Sequence, residues 1–210
     1  MFYKFLFYRA WAKLIIAYFA SFTLSFISGV FLILVVRIEP DIIFEMSNKR
    51  LSYAFAAIGT GTKLGIDPGV MLFSWNAMAS LFTISLLYTA SLFNRNNIAL
   101  FPQIIRKAFC GRRKMIIFAF LPGYSAIKEE SLRRLYVWLM IPLLGMILLG
   151  IESGLTVSTS AHFFGSYAVG FISFIPHGIV EIPTITFAGA ITFTAHLLVK
   201  EMLNKGKREN

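Results

Sequence analysis

Apolar residues run along this chain in blocks too long and too free of charge for a water-soluble core. Leu14 to Val36 holds 23 residues without a charge, about 34 Å as a helix and enough to cross the hydrocarbon core. Val70 to Phe93 is a second such run, and Leu135 to Ile151 a third, flanked by Arg133 and Arg134 before it and by Glu152 after it. Ser153 to Val180 is uncharged but carries Gly154, Gly165, Gly170, Pro176 and Gly178, and Ile182 to Val199 is the last apolar stretch. The pattern predicts an all-α, polytopic transmembrane bundle of four to six membrane helices, at about 14–36, 70–93, 135–157, 161–175 and 179–199. Residues 1–210 read as a single integral membrane domain.

The connections differ from the spans and from each other. Residues 37–69 carry four basic and four acidic residues. Within them Leu51, Ala54, Phe55 and Ile58 keep the i, i+3, i+4, i+7 spacing of an amphipathic helix lying on the membrane interface, followed by a predicted loop at 59–69. Residues 94–134 hold nine Lys or Arg against Glu129 and Glu130. Two short apolar pieces there, Ile98–Ile105 and Met115–Leu121, are too short to span and are expected to dock at the interface.

Composition agrees with lipid as the solvent. Hydrophobic residues make up 57% of the chain and charged ones 14%, against about 25% charged in an ordinary soluble domain. The net charge of +10 has no aromatic-interleaved basic face behind it, so nucleic acid is not an expected partner. Basic residues instead mark the segments that stay in the cytoplasm, where they also meet anionic lipid heads. Three lie before Leu14, nine in 94–134 and four after Val199. The expected arrangement is a multi-pass protein of the cell membrane with a cytoplasmic N-terminus and a cytoplasmic 94–134 connection. Helix three then exits and carries Glu152 toward the outer leaflet, where it caps a helix or meets water.

The C-terminal third strains that rule. If 161–175 and 179–199 both span, the basic tail ends outside, so a broken or re-entrant element near 161–183 is expected to return it. Irregular backbone at membrane depth is tolerated only where protein or a wet cavity covers it. The chemistry in that stretch is Pro176-His177-Gly178-Ile179-Val180-Glu181-Ile182-Pro183. His177 and Glu181 share a helix face, Gly178 permits close approach of another backbone, and Pro183 frees the carbonyl of Ile179. Ionisable groups inside a membrane are expensive and mark candidate functional sites, although such a pair can equally hold the fold together or contact a subunit.

These residues resemble the Pro-His-Gly-x-x-Glu-hydrophobic-Pro-Ala signature of the stage II sporulation protein M family, with Thr184 in place of the usual Ala. The resemblance extends over 70–199, with Asn76 in the position of the family's Asn-bearing helix and Ser153-Gly154 in place of its Asn-Gly pair. It implies a non-enzymatic membrane protein, a scaffold or subunit of a membrane complex. In spore formers the family supports a complex that remodels peptidoglycan. The alternative reading is a transporter or channel-like protein with its pathway at His177 and Glu181, since transporters place ionisable groups at discontinuous helices.

An intramembrane enzyme is the remote alternative. His162, His177 and His196 lack the His-Glu-x-x-His spacing of a zinc protease, and no Gly-x-Ser-x-Gly elbow occurs. The segment GTGTKLG at 59–65 fits no phosphate-binding pattern, and Cys110 is the single cysteine. No metal site, cofactor or catalytic residue is expected. The small-xxx-small pairs Ser25/Gly29, Gly150/Gly154 and Ser166/Gly170 predict close helix contacts, within the chain or across a homodimer.

Overall fold

The computed structural model describes residues 2–90, 121 and 124–206; within its helices some side chains, among them those of Pro176 and His177, also lie outside the described residues. Among the described residues there are six α-helices, α1 (Phe2–Leu34), α2 (Pro40–Lys63), α3 (Pro68–Thr89), α4 (Glu130–Trp138), α5 (Ile141–Phe163) and α6 (Tyr167–Gly206), and a short 3-10 turn at Tyr124–Ala126. Among the described residues four segments are long and apolar enough to cross a membrane, at Tyr3–Leu34, Pro68–Thr89, Glu130–Phe163 and Glu181–Met202. The chain is therefore an all-α bundle of the multi-pass type that its hydropathy pattern predicts.

Local chemistry explains where the helices stop. Asp67 caps α3 by accepting from the backbone N–H of Gly69 (2.8 Å) and Val70 (3.2 Å), and Pro68 opens the first turn. Gly65 and Gly165 take left-handed φ of 80° and 62° just past the ends of α2 and α5, where a side chain would be strained. Pro142 falls at the start of α5 and separates it from α4 by a single bend at Leu139–Met140.

Several expected boundaries move. α1 begins twelve residues before Leu14, because Lys4, Arg9 and Lys13 are good helix formers and extend the helix beyond the apolar run. Gly59 and Gly61, expected in a loop, lie inside α2, and Gly61 is buried there against Met71. α5 continues past Val157 to Phe163, since the hydroxyls of Ser158 and Thr159 turn back to the carbonyl of Leu155 and leave the backbone ladder intact.

The largest change concerns 161–183. The chain does break inside that window, but at residues 164–166, between α5 and α6. From Tyr167 onward α6 is one continuous helix of 40 residues through both Pro176 and Pro183, so the expected helices 161–175 and 179–199 do not exist as separate elements. Proline is tolerated inside membrane helices where neighbouring elements re-satisfy the freed backbone. Packed beside Pro183, Thr186 donates its hydroxyl to the carbonyl of Ile182 and accepts from Trp11 Nε1 of α1. The basic segment 91–120, with Cys110 and both short apolar pieces except Leu121, lies outside the described residues, as do the side chains of Leu51, Ala54, Phe55 and Ile58.

The four crossing segments alternate in direction. Ser21, Ser25 and Gly29 of α1 meet Gly150, Gly154 and Ser158 of α5 in the same order, so these helices run parallel. α6 runs against α5, with Gly170 beside Ala161, Gly189 beside Pro142 and His196 beside Tyr136. α3 is joined near its C-terminal end to α4 by Trp138, whose indole donates to the carbonyl of Leu86 (2.9 Å), and to α6 by Thr192, which donates to the carbonyl of Thr83 (2.8 Å). Arg9 and Glu201 approach to 3.7 Å, which brings the start of α1 and the end of α6 to one end of the bundle.

Candidate functional site

The candidate residues of the sequence divide between two faces of α5. Gly150 and Gly154 face α1. A Cβ built on Gly154 would stand 2.1 Å from Ser25 Oγ and 2.3 Å from the carbonyl oxygen of Phe22; on Gly150 it would stand 2.4 Å from the carbonyl of Tyr18. Such distances leave room for hydrogen only. The seam is closed by Ser25, whose hydroxyl lies within hydrogen-bond distance of the carbonyls of Phe22 (3.0 Å) and Gly150 (3.2 Å). Close approach through small residues, with hydroxyls bonding across the contact, is how membrane helices associate when lipid offers no hydrophobic drive. Ser25/Gly29 and Gly150/Gly154 are used in this way within the chain, and of the third pair Gly170 packs on Ala161 while Ser166 lies in the break before α6. A homodimer would need another face.

The second face of α5 looks toward α3 and α6 across a cavity of about 460 Å³. Its walls are mainly apolar, with Phe82, Leu86, Ile141, Leu149 and Ile185 among them, and its polar members are Trp75, Asn76, Thr83 and Glu181. The structure therefore brings together Asn76 and Glu181, which are 105 positions apart in sequence. Asn76 is the ninth residue of α3. Glu181 lies close to the midpoint of the stretch 167–199, where it is the sole charged residue.

The remaining candidates take other positions. Glu152, expected at a helix end near water, lies in the middle of α5 with its Oε2 atom buried. The reason is the extension of α5 to Phe163, which puts the helix end eleven residues beyond Glu152. By helical spacing Glu152 shares a face of α5 with Gly145 and Leu149, at i+7 and i+3, but it is not among the residues that line the cavity. Gly178, expected to admit a neighbouring backbone, has Phe174 (3.2 Å) and Ile182 (3.7 Å) of its own helix as the nearest atoms to a built Cβ. Pro183 is exposed. Pro176 and His177 belong to the α6 backbone, one turn before Val180 and Glu181.

The sequence did not single out two residues that the structure brings forward. Tyr18 of α1 is fully buried against α5, its carbonyl oxygen 2.4 Å from a Cβ built on Gly150. Trp75 precedes Asn76 on the cavity wall. The available signal for Tyr18 was its place in the four-residue stripe Leu6, Ala10, Leu14, Tyr18, buried throughout. His196 is buried for a plainer reason: it lies between the rings of Tyr136 (4.3 Å) and Phe193 (5.1 Å), with Nδ1 3.1 Å from the carbonyl of Tyr136. It holds α6 to α4.

No cluster of His, Cys, Asp or Glu suited to a metal ion occurs among the described residues. Compared with known proteins, the chain matches no family model, no curated sequence and no solved structure.

Proposed function

We propose that this chain is a non-enzymatic, multi-pass protein of the cell membrane that serves as a scaffold or subunit of a membrane complex, as the resemblance to the stage II sporulation protein M family suggests. The observation that carries the reading is the continuity of α6. Transporters of the discontinuous-helix kind coordinate cargo with backbone released at a helix break. Here 40 helical residues pass through two prolines without interruption, and the hydroxyls and indoles around them bind helix to helix. Polar groups in this bundle act chiefly as glue.

In this reading both termini are cytoplasmic. Lys4, Arg9 and Lys13 on α1, Arg133 and Arg134 on α4, and Lys200 on α6 belong to the end of the bundle marked by the Arg9–Glu201 contact. The segment 37–69 at the opposite end of α1 balances four basic against four acidic residues. Such asymmetry favours the basic end inside. Cys110, the single thiol, reports on it directly. A membrane-impermeant maleimide is expected to leave Cys110 unlabelled in intact cells and to label it after permeabilisation. Labelling of intact cells reverses the orientation of every helix.

The functional test is reconstitution. In mild detergent extracts of native membranes the chain should migrate in an assembly larger than its own homomer, and purified chain in liposomes should pass no ions or protons. A flux in liposomes that Glu181→Gln abolishes would replace the scaffold reading by the transport one.

A further inference from the structure

The cavity between α3, α5 and α6 has a lining that is chemically one-sided. Glu181 supplies a carboxyl group and Asn76 a carboxamide oxygen. Thr83 already spends its hydroxyl proton on the carbonyl of Ala79 (2.8 Å) and keeps lone pairs to offer. Trp75 adds an indole, the aromatic ring that attracts cations most strongly. Among the described residues that line the cavity none is basic. These groups together suit a cationic hydrogen-bond donor and disfavour an anion.

The position of the mouth adds a second constraint. Met78, Phe82 and Gly145 line the cavity and are exposed on the flank of the bundle, on helices that cross the membrane. A ligand entering there comes from the lipid and must itself be apolar over most of its length. The volume falls within the range of ordinary small-ligand sites, about 300–1,000 Å³.

We propose that this cavity is a binding site for an amphiphile with a primary ammonium head, its amine held by Glu181 and Asn76 beside Trp75 and its chain along Phe82, Leu149 and Ile185. A carboxylate–ammonium contact is stronger in the low dielectric of a bundle interior than in water, so the head group decides the affinity. The site goes beyond the scaffold reading and does not depend on it: a scaffold can carry the ligand as a structural lipid, and loss of the site leaves assembly as a separate measurement.

The test is a titration of the full chain in mild detergent with dodecylamine and, separately, dodecanol, followed by native mass spectrometry of the adducts. The two probes share one chain and differ in the head. The amine should bind one-to-one and roughly tenfold more tightly than the alcohol, the step that one well-placed charged contact commonly contributes. Glu181→Gln should bring the two probes within about twofold of each other. Gly145→Leu fills the cavity from a position where a Cβ meets no atom within 4 Å, so it should lower binding of both probes about tenfold or more with the fold intact. Equal binding of amine and alcohol to the wild type overturns the proposal, as does amine binding that Gly145→Leu leaves unchanged. Where a variant fails to fold, the wild-type comparison decides alone.

Discussion

Gly145 and Gly154 lie nine residues apart on the same helix and serve opposite ends. At Gly154 the missing side chain lets α1 come so close that a methyl group would collide with the backbone of Phe22. At Gly145 a Cβ would touch no other residue, and the missing side chain contributes to a cavity. The same residue type thus marks a tight seam of the bundle and an open face. The difference follows from the partner. α1 presents Ser21, Ser25 and Gly29, small groups in register with α5, whereas α3 presents Trp75, Met78 and Phe82, which hold the helices apart. A glycine count cannot tell these situations apart; the residue opposite can.

The largest effect should follow from closing that difference at the tight seam. Gly154→Ala places a methyl group where the nearest obstacles are the Ser25 hydroxyl and main-chain atoms, and main chain cannot rotate away. Overpacking of a well-filled contact costs about 1–3 kcal/mol, and the upper part of that range is expected here. Thermal unfolding in detergent measures it. A variant as stable as the wild type would show that α1 and α5 are not in contact as described.

The second effect lies on the loose side. Trp138 donates from its indole to the carbonyl of Leu86 and lies 3.2 Å from the hydroxyl of Thr89, tying α4 to the end of α3. Trp138→Phe removes the donor and keeps most of the ring. Inter-helix hydrogen bonds in membranes average about 0.6 kcal/mol and reach about 1.7, so a loss near 1 kcal/mol is expected. Since α3 has few such ties, its amides should exchange with deuterium faster in the variant while those of α1 and α5 keep their protection. Uniform loss of protection would mean that α3 and the α1–α5 seam unfold as one unit.

How far these regions could be read from sequence differs in the same way. The seam was legible: the pairs Ser25/Gly29 and Gly150/Gly154 predicted close contacts within the chain or across a dimer, and both meet within the chain. Helical class followed from length and hydropathy, which act through lipid and need no partner, whereas the five expected spans became four candidate ones because 161–175 and 179–199 are not separate helices. The cavity was legible only in its separate parts. Asn76 and Glu181 stood out as polar residues in apolar runs, but their meeting depends on α3 lying beside α6, a tertiary fact with no local signature. Tyr18 and Trp75 look like ordinary aromatics of a membrane helix. The proline-rich motif misled, since local propensity argues for a break at Pro176–Pro183 and the neighbouring helices override it.

A smaller effect tests whether that motif acts as one unit. Continuity of α6 puts His177 and Glu181 one turn apart. In a double-mutant cycle of His177→Asn and Glu181→Gln, the combined loss of thermal stability should be less than the sum of the single losses, by about 0.5 kcal/mol or more. Additivity within about 0.3 kcal/mol would show two independent residues, with Glu181 acting through the cavity alone.

The smallest effect, and the one of opposite sign, belongs to Gly145. Glycine in a helix interior costs about 0.5–1 kcal/mol relative to alanine through the extra freedom it has when unfolded. At Gly154 that gain is overwhelmed by collision; at Gly145 nothing opposes it, because no atom beyond its chain neighbours and the local helix backbone lies within 4 Å of a built Cβ. Gly145→Ala should therefore raise stability by a few tenths to about 1 kcal/mol, and a single methyl group leaves most of the cavity in place. Thermal unfolding of the two alanine variants side by side makes the comparison direct, since they alter the same helix by the same atoms. Stabilisation at 145 with destabilisation at 154 is the expected pair of signs. A loss at 145 comparable to that at 154 would mean that α3 closes onto α5 in the membrane and that the cavity is not a standing feature of the fold.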